Sequence, residues 1–134
     1  MAFTTYTAFV AALMDISISG VTKAYDAPPT QISTASLPIL YPAFPDGSNG
    51  VVAFSGGAGL TSATCDMVIA IEPVRQSLPN VNYAAALTLM DASETAIAAA
   101  ALAIGIDEWA MRVEQNYIGD TVYWMMIISV EASG

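Results

Sequence analysis

A chain of 134 residues can hide roughly two-thirds of its unfolded surface on folding, which is enough for a hydrophobic core and fits one domain over 1–134. Twelve acidic residues against three basic ones (Lys23, Arg75 and Arg112) leave a net charge of −9, which excludes a phosphate-binding track and attraction to anionic membranes. With no histidine and one cysteine, Cys65, the chain has no His-based triad, no ordinary zinc site and no intrachain disulfide.

Residues Thr4 to Ile16 predict a first helix, with Tyr6, Val10 and Leu13 on one stripe, Phe9 and Ile16 beside it, and Thr4 or Thr5 as N-cap. The start lacks the basic segment and apolar run of a signal peptide. Gly20 breaks the helical pattern, and Val21 to Tyr25 is a short strand candidate.

From Asp26 to Gly59 the chain holds five of its seven prolines and five of its nine glycines. Pro38 and Pro42 cannot donate ladder hydrogen bonds, and Asp46-Gly47 and Asn49-Gly50 are turn signals. A long extended arm with at most an edge strand is therefore expected. Leu37, Ile39, Leu40, Tyr41 and Phe44 within it need burial, which points to contact with another subunit.

Thr61 to Val74 alternates cleanly: Ala63, Cys65, Met67, Ile69 and Ile71 on one face, Ser62, Thr64, Asp66 and Glu72 on the other. That is the period of a half-buried strand. After the Leu78-Pro79-Asn80 connector, Asn82 to Ile104 predicts an alanine-rich helix capped by Asn80 or Asn82 and stopped by Gly105. Its expected apolar stripe is Tyr83, Leu87, Met90, Ile97, Ala101 and Ile104, interrupted by Glu94. Asp91 and Glu94 make this segment a poor membrane span. The chain ends in a predicted hairpin, Trp109–Tyr117 and Thr121–Glu131, joined at Ile118-Gly119-Asp120. The last strand is apolar on both sides, as for a central strand covered twice. The fold class expected is α+β: a mixed, mainly antiparallel sheet packed against two helices, with the Pro/Gly-rich arm.

Chemistry is sparse. Asp91 with Glu94, and Asp107 with Glu108, are carboxylate pairs of the kind that glycoside hydrolysis needs, but such pairs are normally solvated surface charge. Asp46, Ser48 and Asn49 match a calcium loop poorly. Ser55-Gly56-Gly57-Ala58-Gly59 is followed by Leu60-Thr61 where a phosphate loop needs Lys and then Ser or Thr. No catalytic, cofactor-binding or metal-binding residue and no cofactor is expected. Apolar residues are 55% of the chain and charged residues 11%, against a charged fraction of about 25% in ordinary domains. A surface so poor in charge points to burial against partners.

The order of elements resembles that of the tail terminator proteins of tailed bacteriophages. The residues that carry it are Gly20-Val21-Thr22-Lys23-Ala24-Tyr25 running into Pro28-Pro29, Ser36-Leu37-Pro38, Tyr41-Pro42, and Asn116-Tyr117-Ile118-Gly119-Asp120-Thr121-Val122-Tyr123-Trp124. The resemblance implies a structural virion protein, assembled in the host cytoplasm, that forms a homohexameric ring on the head-proximal end of the tail tube. Its partners would be other copies of itself, the tail tube protein and the head connector, with DNA as a passenger through the lumen. Head-completion and other neck proteins share much of this layout. Candidate subunit-interface residues are Pro28, Pro29, Leu37, Pro38, Ile39, Tyr41, Phe44, Trp109, Tyr123 and Trp124. Candidate lumen acids are Asp66, Glu72, Glu114 and Asp120. Two other classes remain open: a small ligand-binding or regulatory domain with a pocket between the hairpin and the second helix, and, less favoured, a two-carboxylate hydrolase.

Overall fold

A computed structural model describes residues 5–52, 57–74 and 83–133. Thr4, Ser55, Gly56, Arg75, the Leu78-Pro79-Asn80 connector and the cap candidate Asn82 lie outside them. The elements are α1 (Tyr6–Met14), β1 (Lys23–Ala24), a short 3-10 helix (Thr34–Ser36), β2 (Ile39–Pro42), β3 (Asp46–Val52), β4 (Gly57–Pro73), α2 (Tyr83–Ile104), β5 (Ile106–Ile118) and β6 (Thr121–Ser133). The strands form one six-stranded sheet in the order β1-β2-β4-β6-β5, with β3 also paired to β4. Only β1 with β2 is parallel. The α+β class and the mainly antiparallel sheet with two helices are as expected.

One face of the sheet carries the helices. Thr5 caps α1, its side-chain oxygen accepting from the Ala8 amide at 3.2 Å, and Phe9 and Leu13 are fully buried against Leu40, Met67, Ile69, Met126 and Ile128. Gly105 ends α2 at φ +86°, its amide donating to the Ala101 carbonyl, as a left-handed C-terminal glycine does. The buried side of α2 is Ala86, Leu89, Ser93, Ile97 and Ile104. Of the expected stripe, Ile97 and Ile104 are buried and Met90 and Ala101 pack on the core, while Tyr83 at 58% and Leu87 at 42% exposure face outward at the start of the helix. The buried side includes the small Ala86 and Ser93, and Ser93 satisfies its hydroxyl by donating to the Leu89 carbonyl at 2.8 Å.

The other face of the sheet is covered over half its length by the chain's own connection between β1 and β2. Tyr25, Ile32, Leu37 and Ala43 pack on a second cluster made by Ile39, Tyr41, Val68, Ala70, Ile118, Tyr123, Met125 and Ile127. The Tyr41 hydroxyl donates to Met125 Sδ at 3.4 Å inside it. The connection also touches the terminal hairpin, because a Cβ on Gly119 would lie 2.7 Å from the Thr30 carbonyl oxygen. Gly119 at φ +61°, followed by Asp120 at negative φ, is the residue order of a type II′ turn.

Over its described residues, then, the 26–59 segment is not a single extended arm. β2 is buried at all four positions and lies between β1 and β4. Pro38 precedes this strand and Pro42 ends it, so neither interrupts the ladder within it. From Ile39 to Val52 the chain runs along β4 with one break at Ala43-Phe44-Pro45. The expected turns at Asp46-Gly47 and Asn49-Gly50 fall inside β3. Glycine at 47 reflects crowding, since a Cβ there would lie 2.5 Å from the Ser62 carbonyl oxygen and 3.0 Å from the Tyr6 ring.

β6 is the central strand expected. Met126, Ile128, Val130 and Ala132 enter the helix-side core, and Tyr123, Met125 and Ile127 the opposite one.

Candidate functional site

The sheet separates the expected interface residues into three groups. Ile39, Tyr41 and Tyr123 are buried in the subunit's own core, at 0%, 9% and 4% exposure, so they are corrected from interface to core. Leu37 packs against the same cluster, and Pro29 and Pro38 are half-buried. Pro28 is exposed, and Phe44 stands at 92% exposure where the β2–β3 run breaks. Trp109 is half-buried on β5, and its Nε1 donates to Glu94 of α2 at 2.6 Å, which ties the helix to the edge of the sheet. Trp124 is half-buried, and its buried Nε1 has no hydrogen-bond partner among the described residues. Glu94, which looked like a flaw in an apolar stripe, is therefore the acceptor for an indole.

The acidic candidates also divide. Glu72 is only 6% exposed, because it lies on β4 opposite Trp124 of β6, and it is corrected from a solvent-facing acid to a buried one. Asp120 is exposed at the hairpin turn. Asp66 and Glu114 lie on the second sheet face and are linked through Ser129 and Arg112. There Ser129 donates to Asp66 Oδ1 at 2.7 Å, and Arg112 Nη1 reaches the Ser129 hydroxyl at 3.5 Å. Arg112 Nε pairs with Glu114 at 3.2 Å. Glu108 and Glu131 are cross-strand partners on the same face. Their alternation with Trp109 and Val130 was readable in the sequence, but their pairing required the register.

An apolar groove of about 450 Å³ lies between α1, the start of the β1–β2 connection and the break between β2 and β3, lined by Tyr6, Val10, Met14, Pro28, Pro42 and Phe44. Sequence reasoning placed a pocket between the hairpin and α2 instead. It missed the groove because residues distant in sequence build it.

No family model and no curated protein sequence matches this chain.

The described residues contain no group of three or more His, Cys, Asp or Glu side chains able to hold a metal ion. Asp46 and Ser48 are strand residues of β3. Asp91 and Glu94 are exposed on α2, and Asp107 and Glu108 are exposed at the start of β5. Cys65 is 2% exposed, and burial with the neighbouring Asp66 carboxylate pushes its thiol up to about 11, so it is held as the unreactive thiol. Of the described cations, Lys23 sits over the Tyr25 ring at 4.8 Å and Arg112 is paired with Glu114. They lie on β1 and β5, at opposite edges of the sheet, and form no continuous basic surface.

Large apolar side chains stand out on several elements: Phe44 after β2, Leu102 at 95% on α2 and Tyr117 at 67% on β5. α2 is long and apolar enough to cross a membrane by length and composition, and 22% of its most apolar 18-residue window is buried. Its outer side is a broad surface of alanine with Leu87 and Leu102.

Proposed function

We propose that this chain is a structural subunit that works by assembly, a ring-forming protein of the phage tail terminator type, six copies of which cap the head-proximal end of a tail tube, meet the head connector, and let DNA pass. The observation that carries this reading is the exposed apolar surface: Phe44 at 92% and Leu102 at 95% exposure, in a chain with 11% charged residues. In a chain this poor in charge, little polar surface surrounds these side chains, and that favours contact with a partner. In this reading Phe44 and Pro28 supply subunit contacts, and Asp66, Glu114 and Asp120, joined by Glu108 and Glu131, supply the lumen acids. Light scattering of the purified protein, with electron microscopy of its mixture with tail tubes, tests it. A defined multimer seated on tube ends is expected; a monomer that never joins them overturns it.

The apolar groove supports a second reading, a small domain that binds an apolar ligand between α1 and Phe44. That protein would stay monomeric and gain thermal stability when the ligand is added.

A further inference from the structure

β5 is an edge strand of thirteen residues, about 40 Å long, and among the described residues no strand pairs with its outer edge. Proteins blunt such edges with proline, lysine, bulges or a covering element. β5 has neither proline nor lysine, its one bulge lies at the Ile106/Glu108 end, and of its four charged side chains, which would otherwise guard the edge, Asp107 and Glu108 sit at that same end while Arg112 and Glu114 are of opposite sign. Its even-numbered side chains Ala110, Arg112 and Asn116 are exposed on the open sheet face, with Glu114 beside them; its odd-numbered side chains face the α2 side.

We propose that β5 pairs antiparallel with β5 of a second copy of this chain, about a two-fold axis at Val113, with Arg112 of each copy opposite Glu114 of the other. Face, charge and length of overlap favour this register; an axis at Ala110 also pairs Arg112 with a carboxylate, Glu108, but over 106–114 instead of 108–118 and across the Ile106/Glu108 bulge. Antiparallel partners must share a face, so only registers that pair even with even residues keep the apolar side together. Shifting the axis by one residue in either direction puts Arg112 opposite Arg112 or Glu114 opposite Glu114, and like charges directly opposed are destabilising. With the axis at Val113, two Arg–Glu pairs form, Trp109 meets Tyr117 twice, Ala110 meets Asn116, and Glu108 falls opposite Ile118. No two carboxylates of β5 are opposed. The existing Arg112–Glu114 pair, with side chains 53% and 41% exposed, becomes half of a four-charge array. In a chain of net charge −9, one of three basic residues lies where a self-association edge needs it.

This pairing does not rest on the ring reading. Its test is a charge-swap experiment on the whole chain by sedimentation velocity across micromolar concentrations. Wild type is expected to dimerise. Arg112→Glu and Glu114→Arg, each alone, are expected to raise the dimer dissociation constant at least tenfold. An equimolar mixture of the two variants is expected to restore dimers, because each Arg112→Glu chain offers two carboxylates to two guanidinium groups of a Glu114→Arg chain. Restored pairing also shows that both variants are folded. A mixture that stays monomeric, or an Arg112→Glu protein that dimerises like wild type, overturns the proposal. A hexamer indifferent to both substitutions overturns it too, and leaves the ring reading standing.

Discussion

Cys65 shows how a residue readable as a buried hydrophobe acquires a measurable titration. Its side chain lies in the helix-side core, and its S–H donates to the Ala43 carbonyl at 3.4 Å. Burial, then the Asp66 carboxylate, raise the thiol from 9.0 to about 11. The folded state therefore disfavours the thiolate, whereas the unfolded chain ionises near 9.0. By linkage, the thiol's contribution to stability is complete below pH 9 and is lost as pH climbs towards 11. Burial pushes the Tyr41 phenol up as well, so both groups weaken the fold at high pH. Comparing urea midpoints at pH 8 and pH 10.5 in wild type and Cys65→Ala isolates the thiol: wild type is expected to lose more stability over that interval. Equal losses in the two proteins would show that the thiol is not held protonated by the fold.

At the scale of elements, β2 is where sequence pattern and structure part. Two prolines four residues apart read as an edge or an arm, yet Pro38 precedes the strand and Pro42 ends it, so Ile39, Leu40 and Tyr41 are free to bury. Of the apolar residues that seemed to need another subunit, Leu37, Ile39 and Tyr41 enter the cluster on the second face of their own sheet, Leu40 enters the helix-side core, and Phe44 stays exposed. On α2 the expected stripe holds at Met90, Ile97, Ala101 and Ile104 but not at the start of the helix, where size points to Tyr83 and Leu87 while the buried positions are Ala86 and Leu89. By contrast, β4 and β6 were legible because period-two alternation, or apolarity on both sides, leaves one arrangement relative to a core. The correction changes what mutations report. Tyr41→Asp places a carboxylate in a core site at 9% exposure and is expected to lower stability by about 3 kcal/mol or more. Phe44→Asp, at 92% exposure, is expected to leave the denaturation midpoint almost unchanged while weakening assembly. Circular dichroism melts and light scattering on the two variants separate these effects; a Tyr41→Asp protein that melts like wild type would place that side chain outside the core.

For the molecule as a whole, charge decides what the proposed ring would do with DNA. Each subunit carries −9, and a closed ring cannot turn all of that charge outward. The second sheet face carries Asp66 and Glu114, linked through Ser129 and Arg112, with Glu108 and Glu131 paired farther along it, and the hairpin turn adds Asp120. If this face lines the lumen, phosphates passing it meet repulsion that is strong at low ionic strength and confined to about 8–10 Å at physiological salt. A basic wall would instead hold DNA by counterion release, with affinity falling steeply as salt rises. A repulsive wall leaves DNA free to slide, which suits a conduit better than a grip. The expected result is no detectable binding of duplex DNA to the assembled protein at 20 mM salt or at 150 mM, measured by fluorescence anisotropy. Substituting lysine at Asp66 and Glu114 should create salt-sensitive binding if those residues face the lumen. Micromolar affinity of the unmodified protein at low salt, lost on adding salt, would reveal a basic track and end the passive-conduit reading. Lysine variants that still ignore DNA would move the acidic face to the outside of the ring.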